Sequence, residues 1–285
     1  MNWIASSIIM YVCSVALYLF VRKSSKSGNP SQYNNIAMFS VPLIILLFFD
    51  FSTNQNFTLS ITQLAIIVTA SVLFSYLGNV FSLISIEYAP NPGYSLVISK
   101  SYVVFTTLIA VVFFQAELTI RKAVAIAIIV GFSGIIMLSQ KALKETKNKL
   151  WLPLAIGAFF CWGLLSLTSK YLFNQGVSVY IFLTYTYIVV SACITIEMLI
   201  KKIKFEIIKK DPVIFLLIGL FSTGFNLFLF QAIKGAPNVG YVNAINASSI
   251  SAVTVLAILL FKDEFSKSKF IGILGVTFGL LLLLI

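Results

Sequence analysis

The chain has 285 residues, of which 59% are hydrophobic and only 10% are charged, whereas soluble domains usually carry about 25% charged residues. This composition cannot cover the surface of a soluble domain, so it excludes a soluble protein and predicts an integral membrane protein. The net charge of +11 does not indicate nucleic acid, because most basic residues lie in short segments between apolar runs. That distribution is typical of loops beside anionic lipid, so membrane lipid is a predicted partner and nucleic acid is not.

Apolar runs recur along the whole chain, each about as long as the 20 or so residues that a membrane-spanning helix needs. The alternating pattern of β-barrel strands is absent. The sequence therefore predicts an all-α, multi-pass protein of the cell (plasma or inner) membrane. The ten predicted transmembrane helices, spans 1 to 10, cover residues 3–21, 32–50, 61–86, 92–114, 121–140, 151–173, 178–200, 212–234, 238–261 and 268–285.

An internal repeat divides the chain into two halves. The motif "APNPGY" at residues 89–94 recurs as "APNVGY" at residues 236–241, an offset of 147. Further matches are Asn79 with Asn226 at the same offset, and Trp3 with Trp151 and Cys13 with Cys161 at an offset of 148. Residues 1–148 and 149–285 are therefore predicted to be two copies of a five-helix unit. Because five is odd, the second copy must enter the membrane from the opposite side, and such inverted repeats are typical of secondary transporters.

These features resemble two EamA-type repeats of the drug/metabolite transporter superfamily. The resemblance rests on the two proline turns, on "FFQAELT" and "LFKDEFS" after spans 4 and 9, and on the glycine-bearing spans 5 and 10, "VGFSGIIML" and "GILGVTFGL". It covers nearly the whole chain. It implies a transport role but no particular substrate.

Polar side chains recur at helical spacing on spans 1, 3 and 4, and again on spans 6, 8 and 9. Because they are costly in hydrocarbon, we expect them to face protein or a water-filled cavity between the halves. The resemblance also implies that these helices line a central cavity. The predicted substrate-binding residues are Lys100, Asn79, Ser99, Tyr102, Tyr11, Trp162, Ser166, Asn226, Asn243 and Asn246. The alternatives are a bond to the residue's own helix for each serine and a helix–helix contact for the asparagines.

Lys100 interrupts the apolar pattern of span 4, and the second copy has Ala247 in its place. It lies about 12 Å into the span, where a lysine costs about 2.5–3.5 kcal/mol unless it has a partner or water. Three roles remain open. The lysine bonds structurally to carbonyls or to a carboxylate such as Glu87, its ammonium binds an anionic group of the substrate, or it titrates during transport.

The sequence lacks the residues of several kinds of catalytic or energy-coupling site. It has no histidine and no phosphate-binding loop, and its three cysteines lie in apolar runs without metal-ligand spacing. We therefore predict neither an enzyme nor a cofactor. Proton coupling also lacks its usual carrier, because Asp50, Glu87 and Glu197 lie near the ends of predicted spans, where charges can reach the interface.

The predicted function is transport of a small amphipathic metabolite, such as an amino acid, that bears an anionic group. Transport is predicted to proceed by alternating access, with the protein acting as a facilitator or exchanger. The alternative is a non-transporting membrane subunit or an enzyme of a lipid-modifying complex.

Two further expectations concern assembly and orientation. Ala127 with Gly131, and Gly275 with Gly279, are small residues four apart, which predicts close packing or dimerisation of spans 5 and 10 and hence a monomer or homodimer. Most basic residues lie in the loops opposite the termini, which places both termini outside the cytoplasm. The family resemblance instead implies that both termini lie inside.

Overall fold

The computed structural model describes residues 2–29, 31–53, 57–89, 92–138, 149–203, 211–262 and 265–285. Within these ranges, ten helices are long and apolar enough to cross a membrane, which confirms the predicted all-α membrane fold. They are α1 (Trp3–Lys26), α2 (Ser31–Ser52), α3 (Ile61–Ala70, Ser71–Tyr76 and Leu77–Tyr88), α4 (Pro92–Lys100 and Tyr102–Phe114), α5 (Ile120–Leu138), α6 (Trp151–Asn174), α7 (Val179–Ile200), α8 (Pro212–Gly235), α9 (Val239–Phe261) and α10 (Lys267–Leu284). The first proline turn lies partly outside the described residues.

The helices of the two halves are interleaved. α1 packs along α8 and α9, and its counterpart α6 packs along α3 and α4. α2 contacts α7 and α8, and α7 contacts α3 as well as α2. Each half therefore buries its helices against the other half. We call the bundle end where α1 begins and α10 ends the termini side, and the opposite end the basic side.

The equivalent helices α4 and α9 run in opposite directions. Asn243 of α9 donates to Thr106 Oγ1 of α4 over 3.1 Å. Asn238, which lies earlier in the chain, donates to the backbone oxygen of the later residue Thr107 over 3.4 Å. The residue numbers of the contacting partners increase along one helix while they decrease along the other, so the two helices are antiparallel.

The same direction holds for α2 and α7. Ser40 donates to Ser191 over 3.5 Å, and ten residues further along α2 the carboxylate of Asp50 accepts from Thr184 over 2.6 Å. Thr184 precedes Ser191, so these equivalent helices are also antiparallel. An inverted repeat requires this arrangement.

α5 packs against α10, and the glycines of α10 allow the close approach. A methyl group added to Gly275 or Gly279 would lie 2.1 Å and 2.8 Å, respectively, from side-chain atoms of α5. Ala127 and Gly131 on α5 are exposed instead. The predicted tight packing of these two helices therefore depends on the glycines of α10.

Two cysteines pack in equivalent ways between the halves. A methyl group on Gly224 of α8 would lie 2.7 Å from the sulfur of Cys13 in α1. A methyl group on Gly78 of α3 would lie 2.9 Å from Cβ of Cys161 in α6. The matched cysteines of the repeat are thus small apolar side chains that fill the space above a glycine.

α3 contains a π-helical segment that has no counterpart in α8. Within it, the N–H of Leu77 donates to the oxygen of Val72, five residues back. The thiol of Cys161 approaches the oxygen of Leu73 to 3.3 Å. Such a wider turn leaves a carbonyl without its usual partner in the helix, and the thiol supplies one.

Candidate functional site

α4 is interrupted immediately after Lys100, where the sequence predicts one continuous helix. Ser101 lies between the two segments with φ −65° and ψ −5°. Its hydroxyl donates to the oxygen of Val97 over 2.7 Å, and its N–H is shared between the oxygens of Val97 and Ile98. Lys100 consequently stands at the C-terminal end of a helical segment. Free carbonyls and the helix dipole stabilise a cation there.

The polar neighbours of Lys100 come from three helices. Its Nζ lies 5.9 Å from the ring centroid of Tyr18 in α1, and it interacts with the phenol groups of both Tyr18 and Tyr102. Tyr102, which is 6% exposed, meets the side chain of Asn246 in α9. We call these four residues the Lys100 cluster. Tyr18 was not among the predicted site residues, although it continues the polar stripe of span 1 at helical spacing.

Lys100 has no carboxylate within ion-pair distance among the described side chains. The side chain of Glu87, which the sequence offered as a structural partner, lies outside the described residues. The described side chains that interact with the ammonium are the phenols of Tyr18 and Tyr102, which are neutral. The cluster therefore leaves a full negative charge to be supplied.

A small cavity adjoins Lys100 where α4, α5 and α9 meet. Residues of all three helices line it, among them Val97, Ser133 and Ala247, and it has room for about one water molecule. The hydroxyl of Ser133 is buried and has no hydrogen-bond partner in the described part of the chain, so a water molecule would satisfy it. This space is too small for a metabolite, whereas the side of the Lys100 cluster that faces α1 is more open, since Lys100 is half-buried and Tyr18 is 37% exposed.

Polar contacts continue from the Lys100 cluster along the same helices. Ser14 of α1 and Ser249 of α9 lie 3.2 Å apart. The predicted site residue Asn243 donates to Thr106, and its Oδ1 is buried without a partner among the described residues. The structure thus brings Lys100, Tyr102, Asn243 and Asn246 to one seam between α1, α4 and α9.

Other predicted site residues bond within their own helices. The hydroxyl of Ser99 donates to the oxygen of Leu96 over 3.3 Å, and that of Ser166 donates to the oxygen of Trp162 over 3.1 Å. Asn226 donates to the oxygen of Ser222 over 3.0 Å. The two serine bonds match the alternative of a bond to the residue's own helix, whereas the bond of Asn226 stays within α8 and is not the helix–helix contact that was the alternative for the asparagines.

The remaining predicted site residues are Trp162, Tyr11 and Asn79, for which the described part of the chain shows no polar contact with the Lys100 cluster. Trp162 packs beside Gly78 of α3, where a methyl group on the glycine would lie 3.8 Å from the indole. Tyr11 and Asn79 are half-buried. Tyr11 packs against the apolar core. Whether these three residues contact a substrate stays a prediction.

The second proline turn closes the termini side of the seam. Tyr241 is 0% exposed and donates its hydroxyl to the backbone oxygen of Glu117. Asn238 donates to the same oxygen over 3.3 Å. A methyl group on Gly240 would lie 1.8 Å from Oγ1 of Thr107. We call these contacts the termini-side seal.

Lys170 also acts at the termini side. Its Nζ donates to the backbone oxygens of Ile233, Lys234 and Ala236 over 3.1, 2.9 and 3.0 Å. These carbonyls lie at the end of α8, where the helix itself offers no donors. The lysine therefore caps α8 from α6. Sequence reasoning missed this role, because a basic residue near the end of a span is usually solvated.

The acidic residues near the span ends differ from one another. Glu197 reaches the surface as predicted: its side chain is 15% exposed and lies 2.6 Å from Lys201, and it accepts from Tyr76 over 3.1 Å. For Asp50 the expectation was wrong, because that residue is 0% exposed. The last turn of α2 packs against the first turns of α7, which removes Asp50 from the interface.

The fold and the seam define a multi-pass membrane protein whose two interleaved halves meet at a partly buried polar cluster. Residues 149–285 match the family model described as "EamA-like transporter family". The second half of the chain is therefore similar to the EamA-like transporter family, and the resemblance identified from the sequence is confirmed over those residues. This match, together with the ten helices long enough to span a membrane, indicates a membrane transporter in a lipid environment.

Comparison with solved structures supports the fold over the whole chain. One structure, described only as "Crystal structure of protein", aligns with 98% of this chain and 97% of its own, with a TM-score of 0.77 and 10% identity. At that identity the likeness shows the fold alone. No curated protein matches the chain significantly, so no curated relative indicates a substrate.

Proposed function

We propose that the protein is a secondary transporter of a small amphipathic metabolite, such as an amino acid, that bears an anionic group. It works by alternating access between its two halves as a facilitator or exchanger. The observation that carries this proposal is the Lys100 cluster, a half-buried lysine between α1, α4 and α9 without a carboxylate partner among the described side chains.

The charge of Lys100 sets the substrate class. A carboxylate or phosphate on the substrate forms a charge-assisted hydrogen bond with the ammonium, about twice as strong as a neutral one. The phenols of Tyr18 and Tyr102 and the amide of Asn246 supply neutral donors and acceptors beside it. A permanently cationic drug would be repelled at this site.

The termini-side seal supports alternating access. It closes that end of the seam, so substrate reaches Lys100 from the termini side only when α4 and α9 separate there. The antiparallel pairing of equivalent helices provides a symmetric way to open either side in turn.

The test begins with purified protein and a ligand-stabilisation screen of amino acids, organic acids, nucleotides and hydrophobic cations. Compounds that raise the unfolding temperature are then assayed as labelled solutes for counterflow in liposomes. We expect anionic metabolites to be active, and Lys100→Ala to lower their counterflow by about 10- to 100-fold while leaving the unfolding temperature without ligand unchanged.

The matched control is Lys149→Ala, which removes the same charge from an exposed residue and should preserve counterflow. Normal transport by Lys100→Ala, or stabilisation by hydrophobic cations alone, would contradict the proposed substrate class. No counterflow with any stabilising ligand would favour a non-transporting membrane subunit.

A further inference from the structure

Asp50 is a buried carboxyl group that the proposed transport site does not use. It lies in the last turn of α2 at the termini side and is 0% exposed. Its Oδ2 accepts a hydrogen bond from Thr184 of α7 over 2.6 Å, whereas its Oδ1 is buried and has no partner among the described residues. Beside it, the rings of Phe49 and Tyr180 stack with centroids 4.8 Å apart.

No described cation compensates the carboxyl group. Thr184 is its polar partner on α7, and the nearby Tyr180 and Tyr185 are neutral phenols. The helices packed against α2 are α1, α7 and α8. The described charged residues of α1 and α7 lie at the basic side, and Lys234 in the last turn of α8 is exposed.

At the opposite end of the α2–α7 pair, Glu197 is a carboxylate whose charge is compensated. Glu197 lies near the end of α7, as Asp50 does near the end of α2. It accepts from Lys201 and Tyr76 and interacts with Gln32, and its side chain remains 15% exposed. Among the described residues Asp50 has no such cation, and it is not exposed to water, so the two carboxyl groups are in different chemical situations.

We propose that Asp50 is a proton-binding site whose carboxyl group is protonated and neutral while the termini side is closed, and releases its proton to that side on opening. Burying an unpaired carboxylate costs far more than burying a neutral carboxylic acid that keeps one hydrogen bond. The two described side-chain ligands, Asp50 and Thr184, are also fewer than the six or so oxygens that a divalent cation takes.

This assignment gives the pH dependence a definite sign. The proton stabilises the closed termini side, so raising the pH favours the open state, by at most about tenfold per pH unit for one proton. Asp50 lies near the termini side, and in this cycle it exchanges its proton with that side only. The proton therefore returns to the side from which it came, and the protein remains a facilitator or exchanger whose rate depends on the pH at one side.

The test measures opening directly in the full chain. Val177, which is 3% exposed and lies between α6 and α7, is changed to cysteine in a variant whose Cys13, Cys161 and Cys193 are replaced by serine. Labelling with a maleimide is followed over a pH series in liposomes. Each rate is divided by the rate of the same reporter with Asp50→Asn, which cancels the thiol's own pH dependence.

We expect this ratio to rise with pH, by up to about tenfold per unit. Thr184→Val removes a donor that stabilises the ionised carboxylate, so it should extend the rising range upward by about one pH unit. Glu197→Gln, at the other end of the helix pair, should leave the rise unchanged. A flat ratio would overturn the proposal, and control of labelling by sodium rather than pH would replace the proton site with a sodium site.

Infrared spectroscopy of the unmodified protein provides a second measurement. A carboxylic-acid C=O band at neutral pH that Asp50→Asn removes supports the proposal, and an ionised Asp50 in the unmodified protein contradicts it even if variants misfold. The predicted pH dependence of the transport rate rests on the proposed function. The proposed proton site at Asp50 does not. pH-dependent labelling without counterflow would refute transport and retain the site.

Discussion

The equivalent helices α4 and α9 differ in their continuity. α4 and α9 carry serines at matching positions, Ser101 and Ser248, and each hydroxyl donates to an oxygen of its own helix over 2.7 Å. Only α4 is interrupted. The preceding residues are Lys100 in α4 and Ala247 in α9, so the interruption accompanies the charge and the serine alone does not cause it.

The comparison indicates how the half-buried ammonium of Lys100 is accommodated within a membrane span. A continuous helix uses its carbonyls for its own N–H groups and has none to offer in its middle. An interrupted helix provides a C-terminal end, with free carbonyls and a favourable dipole, at the depth of the charge. α9 remains continuous and contributes Asn243 and Asn246 to the facing wall. One copy thus supplies the charge and the other supplies neutral polar groups.

Moving the charge to the other copy should have the largest effect. Lys100→Ala should lower transport of the anionic solute by about 10- to 100-fold, because one charge-assisted hydrogen bond is lost. Adding Ala247→Lys should not restore it, because α9 has no interruption to stabilise the ammonium. Counterflow in liposomes measures both variants. Restored transport in the double variant would show that the depth of the charge suffices.

The close approach of α4 and α9 gives the next effect. Gly240→Ala would place a methyl group 1.8 Å from Oγ1 and 2.7 Å from Cα of Thr107. We expect it to lower the free energy of unfolding by about 2 kcal/mol, because backbone must move. Gly131→Ala is the control, since a methyl group there meets nothing within 4 Å, and it should be neutral or stabilising. Thermal unfolding in detergent compares them, and equal melting temperatures would contradict the tight contact.

Removing the Lys170 cap from the end of α8 should have a smaller effect on stability. Lys170→Met should lower the free energy of unfolding by about 1–2 kcal/mol, because three carbonyls lose their shared donor. Lys234→Met removes an exposed side chain from the same helix end, while its backbone oxygen stays in place, so it should change little. Denaturant titration of the two variants decides whether Lys170 acts through these carbonyls.

Features that depend on composition and periodicity could be predicted from the sequence. The ten spans follow from apolar length, and Tyr102, Asn243 and Asn246 follow from polar residues at helical spacing on spans 4 and 9. These patterns show the depth of a residue and the face of the helix it occupies. They were sufficient to predict that these residues lie together at one seam.

Features that depend on three-dimensional contacts could not be predicted. Ser101 and Ser248 occupy matching positions of the repeat, yet only Ser101 lies at an interruption of its helix. Asp50 lies near a span end like Glu197, and only the packing of α2 on α7 buries it. Lys170 reaches carbonyls about 65 residues away in sequence, at the end of α8. In each case the outcome depends on which helix lies opposite.

The smallest effects should come from polar residues that serve their own helices. Ser99 is adjacent to Lys100 but donates to Leu96, and Ser166 donates to Trp162. Ser99→Ala and Ser166→Ala should therefore change the free energy of unfolding by less than about 0.5 kcal/mol, since a serine bonded to its own helix adds little or no stability. Counterflow should remain within about twofold of the unmodified protein. A tenfold loss in Ser99→Ala would mean that the hydroxyl turns to the substrate when the halves open, and would add Ser99 to the Lys100 cluster.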